Sequence, residues 1–112
     1  MFTGTIVEES LRDNRILNSL NVKSVRISNA ENPSDRWHLY KVAINGDQVE
    51  QLASELKPEK WYMHFWHGDD VIAVFPNATF WFKHSDKSTW KDAITHGQSL
   101  DIPVEQLDFI ID

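Results

Sequence analysis

The chain has 112 residues, 41% hydrophobic and 25% charged, which predicts one globular domain over residues 1–112. Its formal net charge of -6, from 11 basic and 17 acidic residues, argues against nucleic acid and anionic membranes, because a phosphate-binding surface draws its affinity from a basic face. It has no cysteine, which excludes disulfides, thiolate catalysis and cysteine-ligated metals.

The opening "MFTGTIVEES" lacks the basic and long apolar regions of a signal peptide. No stretch approaches the roughly 18 apolar residues of a membrane span, so the cytoplasm is the expected location. "FTGTIVEES" reads as a first strand. "SLRDNRILNSL" predicts a short helix, with Ser10 as N-cap and Leu11, Ile16, Leu17 and Leu20 apolar. "NVKSVRIS" alternates as a strand with Val25 and Ile27 on one face, and "NAENPSD" is a loop. In the next strand, "RWHLYKVAI", His38, Tyr40, Val42 and Ile44 point one way, and Trp37, Leu39, Lys41 and Ala43 the other.

"NGDQVEQLASELKP" predicts a helix capped by Asp47 with Glu50 three residues on. Its apolar stripe is Val49, Leu52, Ala53 and Leu56, and Pro58 stops it. "KWYMHFWHGDD", "DDVIAVF" and "TFWFKH" then read as three strands joined by tight turns. "SDKSTWKDAITHG" predicts a helix begun by Ser85 or Ser88 and ended by Gly97, with Trp90, Ala93 and Ile94 inward. In "DIPVEQLDFIID", Pro103 starts a helical turn ahead of an apolar terminus. Its acids, Asp101, Glu105, Asp108 and Asp112, have no Lys or Arg among them.

In chain order the first six elements are β-α-β-β-α-β. The pattern predicts an α+β fold with a mainly antiparallel sheet: a ferredoxin-like core extended by a β-hairpin and a third helix, with the helices mainly on one face.

Pairing the aromatic strands across "HGDD" puts Trp66 opposite Val71, His64 opposite Ala73 and Tyr62 opposite Phe75. A turn at "PNAT" then sets Phe80 beside Phe75, Phe82 beside Ala73 and His84 beside Val71. One face so formed carries Tyr62, His64, Trp66, Phe75, Phe82 and His84; the other carries Trp61, Met63, Phe65, Ile72, Val74 and Trp81. Both are largely apolar, whereas a sheet with one wet face alternates apolar and polar residues. The second face therefore needs a cover: another layer of the same chain, a second subunit, or a ligand.

Little else carries chemistry. His64 and His67 are three apart, so on a strand they diverge. His64 and His84 share a face but sit roughly 12 Å apart, too far to share a metal. Glu8 and Glu9, adjacent on the expected first strand, point apart. No nucleophile elbow and no glycine-rich phosphate loop is present, and no metal, cofactor or catalytic residue is assigned.

Taken end to end, "EESLRDN", "ENPSDRWHLYKV", "KWYMHFW", "DKSTWKDAITHGQSLDIP" and "EQLDF" make the chain resemble a family of small uncharacterised single-domain bacterial and archaeal proteins with no assigned function. The resemblance implies a free-standing cytoplasmic domain and carries over no functional residue.

The functional expectation is a non-catalytic small-ligand-binding or regulatory domain. Its ligand site or homodimer interface is Tyr62, His64, Trp66, Phe75, Phe82 and His84. Against it stand a small hydrolase- or isomerase-type enzyme, with His64 as general base assisted by Arg36 or Asp70, and RNA binding through the aromatic sheet, which the net charge opposes.

Overall fold

The structure, a computed structural model, describes residues 1–58 and 60–111; Glu59 and Asp112, the latter one of the C-terminal acids, lie outside the described residues. Among the described residues, six strands form one sheet: β1 Phe2–Val7, β2 Asn21–Ile27, β3 His38–Ile44, β4 Met63–His67, β5 Asp70–Phe75 and β6 Ala78–Lys83. Their spatial order is β2-β3-β1-β4-β5-β6, and every neighbouring pair is antiparallel. The α-helices α1 Val49–Glu55 and α2 Lys91–Ser99 join 3-10 turns in the connections, so the fold is α+β with an antiparallel sheet, as the alternation predicted. Among the described residues, no helix is long and apolar enough to cross a membrane.

The β4–β5 hairpin has the expected register, Trp66 opposite Val71 and His64 opposite Ala73. Gly68 supplies the positive φ, +58°, that its tight turn requires. The β5–β6 hairpin is slipped by two residues from expectation. Phe75 pairs with Ala78, Ala73 with Phe80 and Val71 with Phe82, because the turn is only Pro76–Asn77, with Asn77 at φ +58°. A slip of two preserves the faces, since the side-chain period of a strand is two.

Three local expectations are corrected. Residues 10–20 do not form the expected α-helix; the chain makes two 3-10 turns, Glu8–Ser10 and Asn14–Ser19, separated where the Asp13 side chain accepts a hydrogen bond from the Arg15 N–H at 3.0 Å. Short polar side chains compete in this way with the backbone ladder of a helix. Helix α1 is entered through Asn45, whose N–H donates to the Gln48 side chain at 2.8 Å in a capping box, rather than through Asp47 and Glu50. The helices do not lie mainly on one face, because α1 and α2 sit on opposite sides of the sheet.

That division answers the question of cover over half the sheet. On one side, Leu11, Ile16 and Leu17 from the N-terminal turns and Val49, Leu52, Ala53 and Leu56 pack on Ile6, Val42, Ile44, Phe65, Ile72 and Val74. On the other, Trp90 and Ala93 of the α2 region and Ile102, Leu107 and Phe109 of the C-terminal segment pack on Val71, Ala73, Phe75 and Phe82. Phe109 is fully buried and meets Tyr62, His64, Phe82 and Trp90 edge-on at ring-centroid distances of 5.9, 5.8, 5.0 and 5.4 Å. The indole N–H of Trp90, which would be costly to bury unpaired, donates to the Lys83 carbonyl at 2.8 Å.

The two halves of the sheet meet where β1 pairs with β4 at Thr3–Trp66 and Gly4–Phe65. A Cβ at Gly4 would fall 2.5 Å from both the His64 carbonyl oxygen and the Phe65 ring, so this seam requires glycine. Gly4→Ala is therefore expected to destabilise the protein by about 1–3 kcal/mol, the usual cost of overpacking, in urea unfolding. Phe109→Ala, which opens a cavity under the C-terminal segment, is expected to cost about 3–5 kcal/mol in the same assay. A loss below 1 kcal/mol for Phe109→Ala would mean that the segment does not seal the second core.

Candidate functional site

Among the described residues, the second face carries no such layer over β2, β3 and β1, and the apolar cluster of that side draws no residue from these three strands. The register puts Thr5, Lys41 and Ser24 in one cross-strand row, with Arg26 opposite Leu39 in the next and Trp66 opposite Thr3 at the seam. These side chains line a hollow of about 290 Å³ formed by Thr5, Ser24, Arg26, Leu39, Lys41 and Trp66. Across Trp66 lies a second hollow of about 390 Å³, lined by Thr5, Val7, Tyr62, Met63, His64, Trp66 and Ile110. Thr5 and Trp66 belong to both, so the two hollows form one depression beside the C-terminal segment.

The structure divides the six residues singled out from sequence. Tyr62, His64 and Trp66 are half-buried and line the second hollow together. Phe75 and Phe82 share their face but are 0% and 6% exposed, beneath α2 and the C-terminal segment. His84 lies past the end of β6, its ring against Trp90 at 5.6 Å and its N–H donating to the Asp69 carbonyl at 2.8 Å. No local pattern signals that a terminal segment returns over Phe75, since that contact joins residues far apart in the chain.

The C-terminal segment is held at the mouth of the depression by β4 and the residue before it. The Tyr62 hydroxyl donates to the Gln106 carbonyl, and His64 Nε2 lies 2.7 Å from the Ile110 carbonyl. A carbonyl oxygen can only accept, so His64 Nε2 carries the proton in this contact. Burial, and then the Asp108 carboxylate, push the Tyr62 phenol up to about 12. The residues expected to assist His64 are elsewhere. Arg36 donates to the Ala30 and Glu31 carbonyls at 2.8 and 3.1 Å, and Asp70, paired with Lys83, projects from the opposite face of the sheet.

One polar constellation was not legible in the sequence. Glu8 and Glu9 lie on a 3-10 turn instead of the expected strand, so their side chains converge on β3 rather than diverge. The Tyr40 hydroxyl donates to Glu8 Oε1 at 2.7 Å, and the Asn14 side chain donates to Glu8 Oε2 at 3.4 Å. Glu9 accepts from the His38 backbone N–H at 2.8 Å and sits 2.7 Å from the His38 ring Nδ1. One ligand atom from each of Glu8, Glu9 and His38 falls within 4.8 Å of the others, a spacing compatible with a cation. Each carboxylate oxygen already has a donor from the chain, however, and the set acts as a tie between the turn and β3.

Desolvation pushes the Glu9 carboxyl up, but the hydrogen bonds from the His38 ring and backbone outweigh it and hold the group below its ordinary 4.5. The hydrogen bond to Glu9 raises His38 above 6.5, against a smaller lowering by desolvation. A raised imidazole contributes stability that is complete below its unfolded pKa and is lost as pH rises through the folded value. A depressed carboxyl contributes stability that is complete above its unfolded pKa and is lost as pH falls through the folded value. The pair is therefore strongest between about pH 4.5 and 6.5. The melting-temperature difference between the protein and His38→Gln is expected to peak in that interval and shrink on both sides. A difference that does not change with pH would contradict an ionic tie.

No family model, no curated protein and no solved structure matches the chain.

Proposed function

We propose that the protein is a small-ligand-binding domain whose site is the depression around Trp66 on the second face of the sheet. The observation that carries the reading is the pair of hollows sharing Thr5 and Trp66, on the part of that face that no described residue of the second layer covers. Their volumes, about 290 and 390 Å³, suit a metabolite-sized ligand with an aromatic wall and a few placed polar groups. Of the residues singled out from sequence, Tyr62, His64 and Trp66 form the wall, and Phe75, Phe82 and His84 support the layer beside it.

The scaffold supports a ferredoxin-like reading of the first four strands. Their order is β2-β3-β1-β4, and both connections, the 3-10 turns after β1 and α1 after β3, cover the same face. In place of a second copy of the chain, a ligand is favoured as occupant. The premise of a homodimer was an uncovered aromatic face, and over β4, β5 and β6 the C-terminal segment supplies that cover. The edge strand β2 is exposed along its whole length but carries Lys23 and Arg26, and charges on an edge hinder strand-to-strand pairing. The solution mass at low micromolar concentration is expected to be that of a 13.0 kDa monomer.

A thermal-shift screen against a metabolite panel tests the function. A ligand at about 100 times its dissociation constant raises stability by roughly 2.7 kcal/mol. Trp66→Ala is expected to leave a cooperative unfolding transition and to abolish that ligand-dependent shift; an unchanged shift in the variant would rule out this face as the site.

A further inference from the structure

Resting on the reading of this face as a ligand site, we propose that its ligand is a planar ring bearing an oxyanion, either a carboxylate or a phosphate ester. The anion would lie between Arg26 and Lys41 and the ring against Trp66. The chain as a whole is acidic, with a net charge of -6, yet the side chains that β1, β2, β3 and β4 direct to this face include Arg26 and Lys41 and no Asp or Glu. Neither cation has a hydrogen-bond or ion-pair partner among the described residues, although each stands on a sheet where an opposite charge across the strand is the usual complement.

Hindrance of edge pairing accounts for Arg26 on β2 but not for Lys41, because β3 is an interior strand flanked by β2 and β1. The cross-strand neighbours of Lys41 are Thr5 and Ser24, two hydroxyls able to donate to the same anion. Arg26 is the diagonal neighbour of Lys41, about 7–8 Å away, close enough for both side chains to reach one oxyanion, with the guanidinium binding it through two parallel N–H bonds. Beside them stands Trp66, with the more apolar hollow of Val7, Tyr62 and Ile110 beyond it. The depression is thus basic and hydroxylated at one end and aromatic at the other.

The test uses the full chain at low salt, with two matched probe pairs: adenosine 5′-monophosphate against adenosine, and indole-3-carboxylate against indole-3-carboxamide. Affinity is read by calorimetry and position by amide chemical shifts. At least one anion is expected to bind at least tenfold more tightly than its neutral counterpart, to shift the amides around Ser24, Lys41 and Trp66, and to weaken as salt is added. Arg26→Gln and Lys41→Gln are each expected to reduce that affinity tenfold or more without lowering the melting temperature. The pair that responds distinguishes phosphate ester from carboxylate.

Equal affinity for a neutral counterpart, or full affinity in both glutamine variants, would overturn the oxyanion assignment. If a neutral panel compound binds and Trp66→Ala removes its binding, the site stands and the ligand class falls. If no probe and no panel compound binds, both readings fall. Tight binding of a single-stranded RNA oligonucleotide without measurable binding of the mononucleotide would also overturn the assignment, in favour of a polymer.

Discussion

β5 is buried on both of its faces, and the rest of the molecule is arranged to satisfy that demand. Val71, Ile72, Ala73, Val74 and Phe75 are each 0% exposed. Val71 to Val74 are paired with β4 on one side and β6 on the other, and Phe75 with β6, so the ladder meets the hydrogen-bonding demand of a strand buried in this way. The side chains then need two separate apolar layers, at roughly 25 cal/mol per Å² of surface removed from water. Ile72 and Val74 are met by α1 and the N-terminal turns; Val71, Ala73 and Phe75 are met by α2 and the C-terminal segment. Among the described residues, the second layer draws nothing from β1, β2 or β3. The second layer ends at the β1–β4 seam, and no described residue continues it over the face beyond.

The location of the depression follows from that shortfall. Trp66 lies at the boundary, with β4 and the apolar core on one side and the polar strands β1, β3 and β2 on the other. Its neighbours are fixed by backbone pairing, with Thr3 opposite and Thr5 two residues along β1, so the wall of the depression stands on strands rather than on a loop. The C-terminal segment forms the remaining edge. Phe109, at φ +45°, accepts a backbone conformation that costs on the order of 1–3 kcal/mol and is retained because its ring fills the space between Tyr62, Phe82 and Trp90.

The strands and their faces were legible in the sequence because alternation with a period of two is a local signal. It survived a slip of two residues in the β5–β6 pairing, which moved Phe80 from Phe75 to Ala73 without changing its face. The doubly apolar pattern of residues 61–82 correctly implied a second cover, but not its source, because Leu107 and Phe109 reach Phe75 and Phe82 by tertiary packing that no local pattern encodes. Glu8 and Glu9 were misplaced for the opposite reason. The β-rich run before them suggested that the strand continued, whereas the Ser10 hydroxyl, turned back onto the Val7 carbonyl at 2.6 Å, marks the 3-10 turn that closes it. Arg26 and Lys41 carry no motif; they become notable only when the register brings them onto one strand face, in adjacent rows without an acid.

The division of the second face into a sealed half and an open half is most directly measured by paramagnetic relaxation from a soluble gadolinium chelate, read by NMR on the ligand-free protein. Signals of Thr5, Ser24, Lys41 and the Trp66 indole are expected to broaden strongly, while the Val71 and Ala73 methyl groups and the Phe75 and Phe82 rings stay sharp. Equal protection of both halves would show that something covers the depression in solution. Equal broadening would show that the C-terminal segment does not seal the second core, and either result would contradict the architecture on which the site depends.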